Sequence, residues 1–142
     1  MATILLRMPV DAEPGTVYEG LAGPDGVSGW WSERVEGPAG IGSTMRVAFP
    51  DAPMTFDFEL AKEEPGESLV WRCLAGPPEW IDTDISFEIE TDDEGKTSVL
   101  FRHGGWETTE QSFPFIAYSW AQILPRLKSL AETGKREPFF RF

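Results

Sequence analysis

The chain has one cysteine and one histidine, Cys73 and His103. A single thiol excludes an internal disulfide and fits a reducing cytoplasm. One His and one Cys offer no ligand cluster with metal-like spacing, so no metal and no cofactor are expected. Basic residues are scarce. Twelve Lys and Arg stand against 24 Asp and Glu, a net charge of −12. That balance argues against nucleic acid and anionic membrane surfaces as partners, and solubility alone accounts for it. No apolar run approaches the ~18 residues of a membrane span. The N-terminus lacks a signal peptide's basic-then-apolar layout. Internal repeats, low-complexity runs and phosphate-loop patterns are missing too; Gly104-Gly105 leads into none.

Aromatics, by contrast, are abundant: six Trp and ten Phe in 142 residues. That length suits one domain, read as residues 1–142 with a tail over 136–142. Only 111–134 reads as a long helix. Phe113, Ile116, Ala117, Trp120, Ile123, Leu124, Leu127, Leu130 and Ala131 form one apolar stripe at helical spacing. Ser112 is placed to cap it, Pro114 fits its first turn, and Gly134 fits its end. Pro125 lies in mid-helix, where it removes an N–H and predicts a kink.

The rest of the chain alternates with a period of two. A strand over Thr3 to Met8, bounded by Pro9, precedes two short helices. The first is capped by Asp11 and carries Val17, Tyr18 and Leu21; the second carries Val27, Trp30 and Trp31. A brief strand is expected around Val35. Hairpin-linked strands follow, with inward sets Met45, Val47, Phe49; Met54, Phe56, Phe58, Leu60; Leu69, Trp71, Cys73; Ile85, Phe87, Ile89; and Val99, Phe101, His103. Successive hairpins give an antiparallel meander. One apolar face per strand requires one cover, and the long helix supplies it. The expected architecture is α+β: a curved antiparallel sheet of about six or seven strands around a C-terminal helix.

Four segments carry a family resemblance: Val17–Leu21 through Gly29-Trp30-Trp31; Glu79-Trp80-Ile81-Asp82-Thr83 with Phe87; Phe101-Arg102-His103-Gly104-Gly105-Trp106; and Trp120 through Leu127-Lys128 to Glu132-Thr133-Gly134. With these the chain resembles the SRPBCC superfamily, the START or birch-pollen-allergen-like proteins of helix-grip fold. Within it, the likeness is to the branch of activators of the heat-shock-protein-90 ATPase, grouped with polyketide cyclases. The chain departs from that pattern at Pro125. The resemblance implies a cavity between sheet and helix for small apolar ligands. It implies no universal catalytic residue.

The aromatic inward faces either fill a core or wall a cavity. If a cavity, Trp71, Phe87, Phe101 and Trp120 meet near its centre, under the helix. The expected ligand-binding residues are Trp30, Phe49, Phe56, Phe58, Trp71, Phe87, Phe101, His103, Trp106 and Trp120, with a small apolar or aromatic molecule as partner. The adjacent Trp30 and Trp31 are expected to face different ways, one of them lining the cavity end. The indoles of Trp80 and Trp106, with His103, are the polar groups that would orient a ligand. His103 has three readings: a structural histidine bonded to a loop carbonyl, a ligand contact, or the acid/base of a cyclase- or dehydratase-like enzyme. No catalytic residue is assigned outside that last reading. Cys73 reads as a buried, inert thiol. Asp57 and Glu59 share an outward, solvated face. A third reading is a chaperone-associated interaction module. Phe139, Phe140 and Phe142 are expected to be buried, on their own domain or across a homodimer.

Overall fold

The computed structural model describes residues 1–142. Its order is β1 (Ala2–Val10), α1 (Pro14–Glu19), α2 (Pro24–Val27), β2 (Arg34–Glu36), β3 (Thr44–Ala48), β4 (Phe56–Glu64), β5 (Ser68–Ala75), β6 (Asp84–Thr91), β7 (Thr97–Trp106) and α3 (Phe113–Thr133). One antiparallel sheet of seven strands runs β1-β7-β6-β5-β4-β3-β2. Hairpins join β3 through β7. The excursion through α1 and α2 sends the chain from one sheet edge, β1, to the other, β2. Register shifts between Asp57 and Phe58 and between Leu60 and Lys62 bend β4, and such bulges increase local twist and curvature. The sheet wraps α3 in a helix-grip arrangement.

Inward parity holds for most expected positions. Val47, Phe58, Leu69, Cys73, Ile85, Phe87, Val99, Phe101 and His103 are almost wholly buried. They pack on Trp120, Ile123, Leu124 and Leu127 of α3. The outward face carries ion pairs: Arg46–Asp57 and Arg72–Asp84 at 2.9 Å, on residues directly opposite each other in the ladders. Arg102–Glu88, also at 2.9 Å, extends the row.

Several local expectations are corrected. Met54 is 43% exposed and lies in the β3–β4 turn; β4 starts only at Phe56, so strand parity does not reach back to it. Pro9 lies inside β1 rather than ending it. β1 is an edge strand, where a missing N–H is tolerated. Asp11 does not cap α1. Glu13 holds that position without a side-chain cap, and the Asp11 N–H donates instead to Glu132 on α3 at 2.8 Å. Ser112 sits at the α3 N-cap, but its backbone is already helical and its hydroxyl is turned to Glu79. Gln111 has φ of 57°, outside the helix. Gly134 ends α3 at φ 76°, its N–H bonded to the Leu130 carbonyl. The helix continues through Pro125 without a break.

Gly26 is required for the two short helices to meet. A Cβ there would lie 2.2 Å from the Glu19 carbonyl oxygen. That close approach brings Trp30 and Trp31 under the sheet. Both are buried, with ring centroids 6.0 Å apart and planes 14° from parallel. The two adjacent indoles therefore do not diverge as expected. The turn after α2 lets both indoles point inward.

Candidate functional site

The space beneath the middle of α3 is filled by rings. Trp71 packs on Phe87 at 5.2 Å, Phe87 on Phe101 at 5.3 Å, and Phe101 on Trp120 at 4.6 Å. Trp31 closes the set, 5.0 Å from Trp120 and stacked on Trp71 at 6.1 Å. These rings meet at the centre as expected, but they pack against one another instead of walling a void. Trp31 comes from the α1–α2 excursion, and strand parity gives no sign that it enters this layer.

The open space lies at one edge. A groove of about 360 Å³ runs between the N-terminal half of α3, the β3–β4 turn and the C-terminal tail. Phe49, Pro50, Ala52 and Phe56 form one wall, with Trp31 and Trp80 at its base. Phe115, Ile116, Ser119, Trp120, Gln122 and Ile123 form the helix wall, and Phe139 and Phe140 close the end. Asp51 is the one charged lining residue. Of the expected ligand contacts, Phe49, Phe56 and Trp120 line this groove. Trp30, Phe58, Trp71, Phe87, Phe101, His103 and Trp106 do not; they are core. Strand parity could not have found Phe115, which is 67% exposed on the helix side away from the apolar stripe. The phenylalanines of the tail were the sequence signal for the remainder.

The tail is tied to the chain that precedes β2. The N–H groups of Phe139 and Phe140 donate to the carbonyls of Trp30 and Trp31 at 2.9 Å, and the Glu33 N–H donates to Phe140 at 3.0 Å. Phe140 forms an edge contact with Phe49 at 4.9 Å. Arg34 lies 3.8 Å above the Phe142 ring, a cation–π contact. The tail is thus docked on its own domain, although Phe142 stays 46% exposed.

His103 is fully buried and both its ring nitrogens are engaged. The Trp120 indole N–H donates to Nδ1 at 3.1 Å. An indole can only donate, so Nδ1 is the acceptor and the proton sits on Nε2. Nε2 then donates to Thr83 Oγ1 at 2.9 Å, and that hydroxyl donates to the Trp80 carbonyl at 2.6 Å. His103 therefore reaches a loop carbonyl through Thr83 rather than directly. Burial lowers its pKa to about 3. An imidazole with no free nitrogen and that pKa is ill matched to proton transfer near neutral pH.

Other groups add little chemistry. Burial pushes the Cys73 thiol up to about 12, away from nucleophilic use. Trp80 is buried with its ring 4.8 Å from His103. Trp106 Nε1 is buried without a hydrogen-bond partner, among the rings of Trp80, His103 and Phe113. Asp57, outward as expected, is paired with Arg46. No group of three His, Cys, Asp or Glu residues is placed to hold a metal ion. No helix is long and apolar enough to cross a membrane.

No family model and no curated protein matches the chain. Solved structures do. The Aha1 dimer from Colwellia psychrerythraea is 33% identical, with 95% of this chain and 99% of that one aligned at a TM-score of 0.83. The chain belongs to the Aha1-like branch of the SRPBCC superfamily. The expected family is thereby confirmed. DynU16, from the dynemicin biosynthetic locus, shares the fold at 21% identity and a TM-score of 0.80, over 99% of this Aha1-like chain and 51% of its own. CalU16 from Micromonospora echinospora shares it at 16% identity and a TM-score of 0.72, over 90% of this chain and 73% of its own.

Proposed function

We propose that this Aha1-like domain binds a small apolar or aromatic molecule in the edge groove, without performing a reaction on it. The observation that carries the reading is the groove itself, about 360 Å³ and walled mostly by aromatic and aliphatic side chains. That volume falls in the usual range of ligand sites, which combine apolar walls with a few polar groups. The superfamily fold supports binding between sheet and helix, and the filled centre leaves the edge as the place for it. An enzymatic reading through His103 has no support in the geometry, since that ring is sealed and fully bonded.

The test is titration with a neutral fluorescent probe such as N-phenylnaphthylamine. One molecule per chain is expected to bind. Ser119→Trp places an indole in the groove at a half-buried position on α3. It should abolish binding while leaving the fold intact by circular dichroism. Undiminished binding in that variant would refute the edge groove as the site.

A second reading is a protein-contact surface. Phe115, on the groove's helix wall, and Tyr118 next to it are 67% and 63% exposed on α3. Two large exposed aromatics one helical turn apart fit an interface better than bulk water. The Colwellia relative is described as a dimer, and a homodimer through this face is the form the reading takes here. Sedimentation over a wide concentration range, with Phe115→Ser and Tyr118→Ser compared to wild type, decides it.

A further inference from the structure

We infer that the ligand of the groove is an amphipathic cation, an aromatic or aliphatic body carrying an ammonium group. This rests on the groove being a ligand site and names the chemical class it selects. Charge complementarity selects that class. Asp51 is the single charged residue in the lining, and no Lys or Arg lines the groove. The polar groups on the facing helix also offer acceptors. Ser119 spends its proton on the Phe115 carbonyl. Gln122 spends an amide N–H on Tyr118 Oη at 3.2 Å, and its amide oxygen makes no bond within the fold. Carboxylate, hydroxyl lone pairs and amide oxygen all suit a cation's N–H groups, and the donors in the lining, the second Gln122 N–H and the indoles of Trp31 and Trp80, carry no formal charge to hold an anion.

The walls point the same way. Aromatic faces carry negative potential and attract ammonium and guanidinium groups. The tail beside the groove already receives two such contacts. Arg34 lies over Phe142 at 3.8 Å and Arg126 over Phe139 at 5.7 Å. Arg126 is itself 3.9 Å from Glu137, and it does not line the groove. The net charge of −12 adds a long-range field of the same sign.

Three naphthyl probes of similar size test this by displacement of N-phenylnaphthylamine: naphthylmethylammonium, naphthylmethanol and naphthoate. At low salt the ammonium should bind about tenfold more tightly than the alcohol, and naphthoate weakest. The preference should shrink as added salt shortens the screening length. Asp51→Asn should bring the ammonium down to the level of the alcohol, whose own affinity stays put. Asp93→Asn makes the same change in net charge in the exposed β6–β7 turn, at the opposite end of the sheet. It should leave the preference unchanged. Equal binding of all three probes, or a preference that survives Asp51→Asn, overturns the cation inference and leaves the groove reading standing. If N-phenylnaphthylamine itself fails to bind, both fall together.

Discussion

The Trp120 indole N–H points at Nδ1 of His103 across 3.1 Å, between two fully buried side chains. That contact fixes the imidazole as neutral, with its proton on Nε2. Protonating Nδ1 would place two N–H groups head to head and charge a fully buried ring. The consequence is a pH dependence of known sign. The folded-state pKa is lowered by burial from 6.5 to about 3. The unfolded chain therefore binds the proton first, and stability is lost as pH falls below 6.5. Between pH 6.5 and 5, above most carboxylate titration, the loss from this group is about 1.5 kcal/mol. Urea denaturation across that interval checks it. His103→Gln, neutral throughout, should show a flat profile there; a wild-type profile equally flat would mean that the ring is not held neutral.

Thr83 holds the other end of the same chain of bonds. Thr83→Val keeps the shape but removes the hydroxyl that accepts from His103 and donates to the Trp80 carbonyl. The buried Nε2–H of His103 loses its partner, at a cost of about 1–3 kcal/mol, while the Trp80 carbonyl keeps the Thr83 backbone N–H at 3.0 Å. The midpoint of chemical denaturation should move down accordingly. Because the network acts as a unit, the double variant with His103→Gln should cost less than the sum of the two singles.

Fold and site were legible to different depths. Alternation along β4, β6 and β7 and the three-four spacing on α3 report which side chains face inward, and the structure agrees. Such periodicity reports direction, not how far a side chain reaches or what meets it. Trp71, Phe87 and Phe101 point under the helix in either a filled or a hollow fold; Trp31 decides between them. Trp31 arrives from a turn whose geometry depends on the close approach at Gly26, a tertiary fact without a periodic signal. The groove escaped for a similar reason. Its walls come from a turn, an exposed helix flank and the tail, and no repeat links 49–52, 115–123 and 139–140. His103 was placed inward correctly, but its partner Thr83 lies in a loop before β6, where parity does not apply.

The tail should matter to the groove as well as to the fold. Removing residues 137–142 deletes the bonds to Trp30, Trp31 and Glu33 and strips Phe140 from Phe49. The melting temperature should fall by several degrees, since each kilocalorie per mole shifts a domain of this size by roughly 2–8 °C. Probe affinity should fall too, because Phe139 and Phe140 close one end of the groove. An unchanged melting temperature would show that the tail contributes nothing in solution.

Pro125 offers a test of what the sheet imposes on the helix. A proline in a helix interior removes one hydrogen bond and presses its ring on the preceding turn, at a cost of about 3 kcal/mol. Here α3 nevertheless runs unbroken from Phe113 to Thr133. The flanking residues explain why it holds. Ile123, Leu124 and Leu127 are buried against the sheet, whereas Pro125 itself is exposed. Packing of that stripe outweighs a local penalty of a few kilocalories per mole, since each fully buried aliphatic side chain contributes about 1.5–3 kcal/mol. Pro125→Ala would restore the N–H to the ladder and relieve the crowding without touching the buried face. It should stabilise the protein by about 1–3 kcal/mol, less than the full penalty because alanine also frees the unfolded chain. Chemical denaturation of the two proteins measures the difference. If Pro125→Ala is neutral or destabilising, the proline is not a tolerated fault in the helix, and the local shape it gives α3 above the groove is part of what the fold requires.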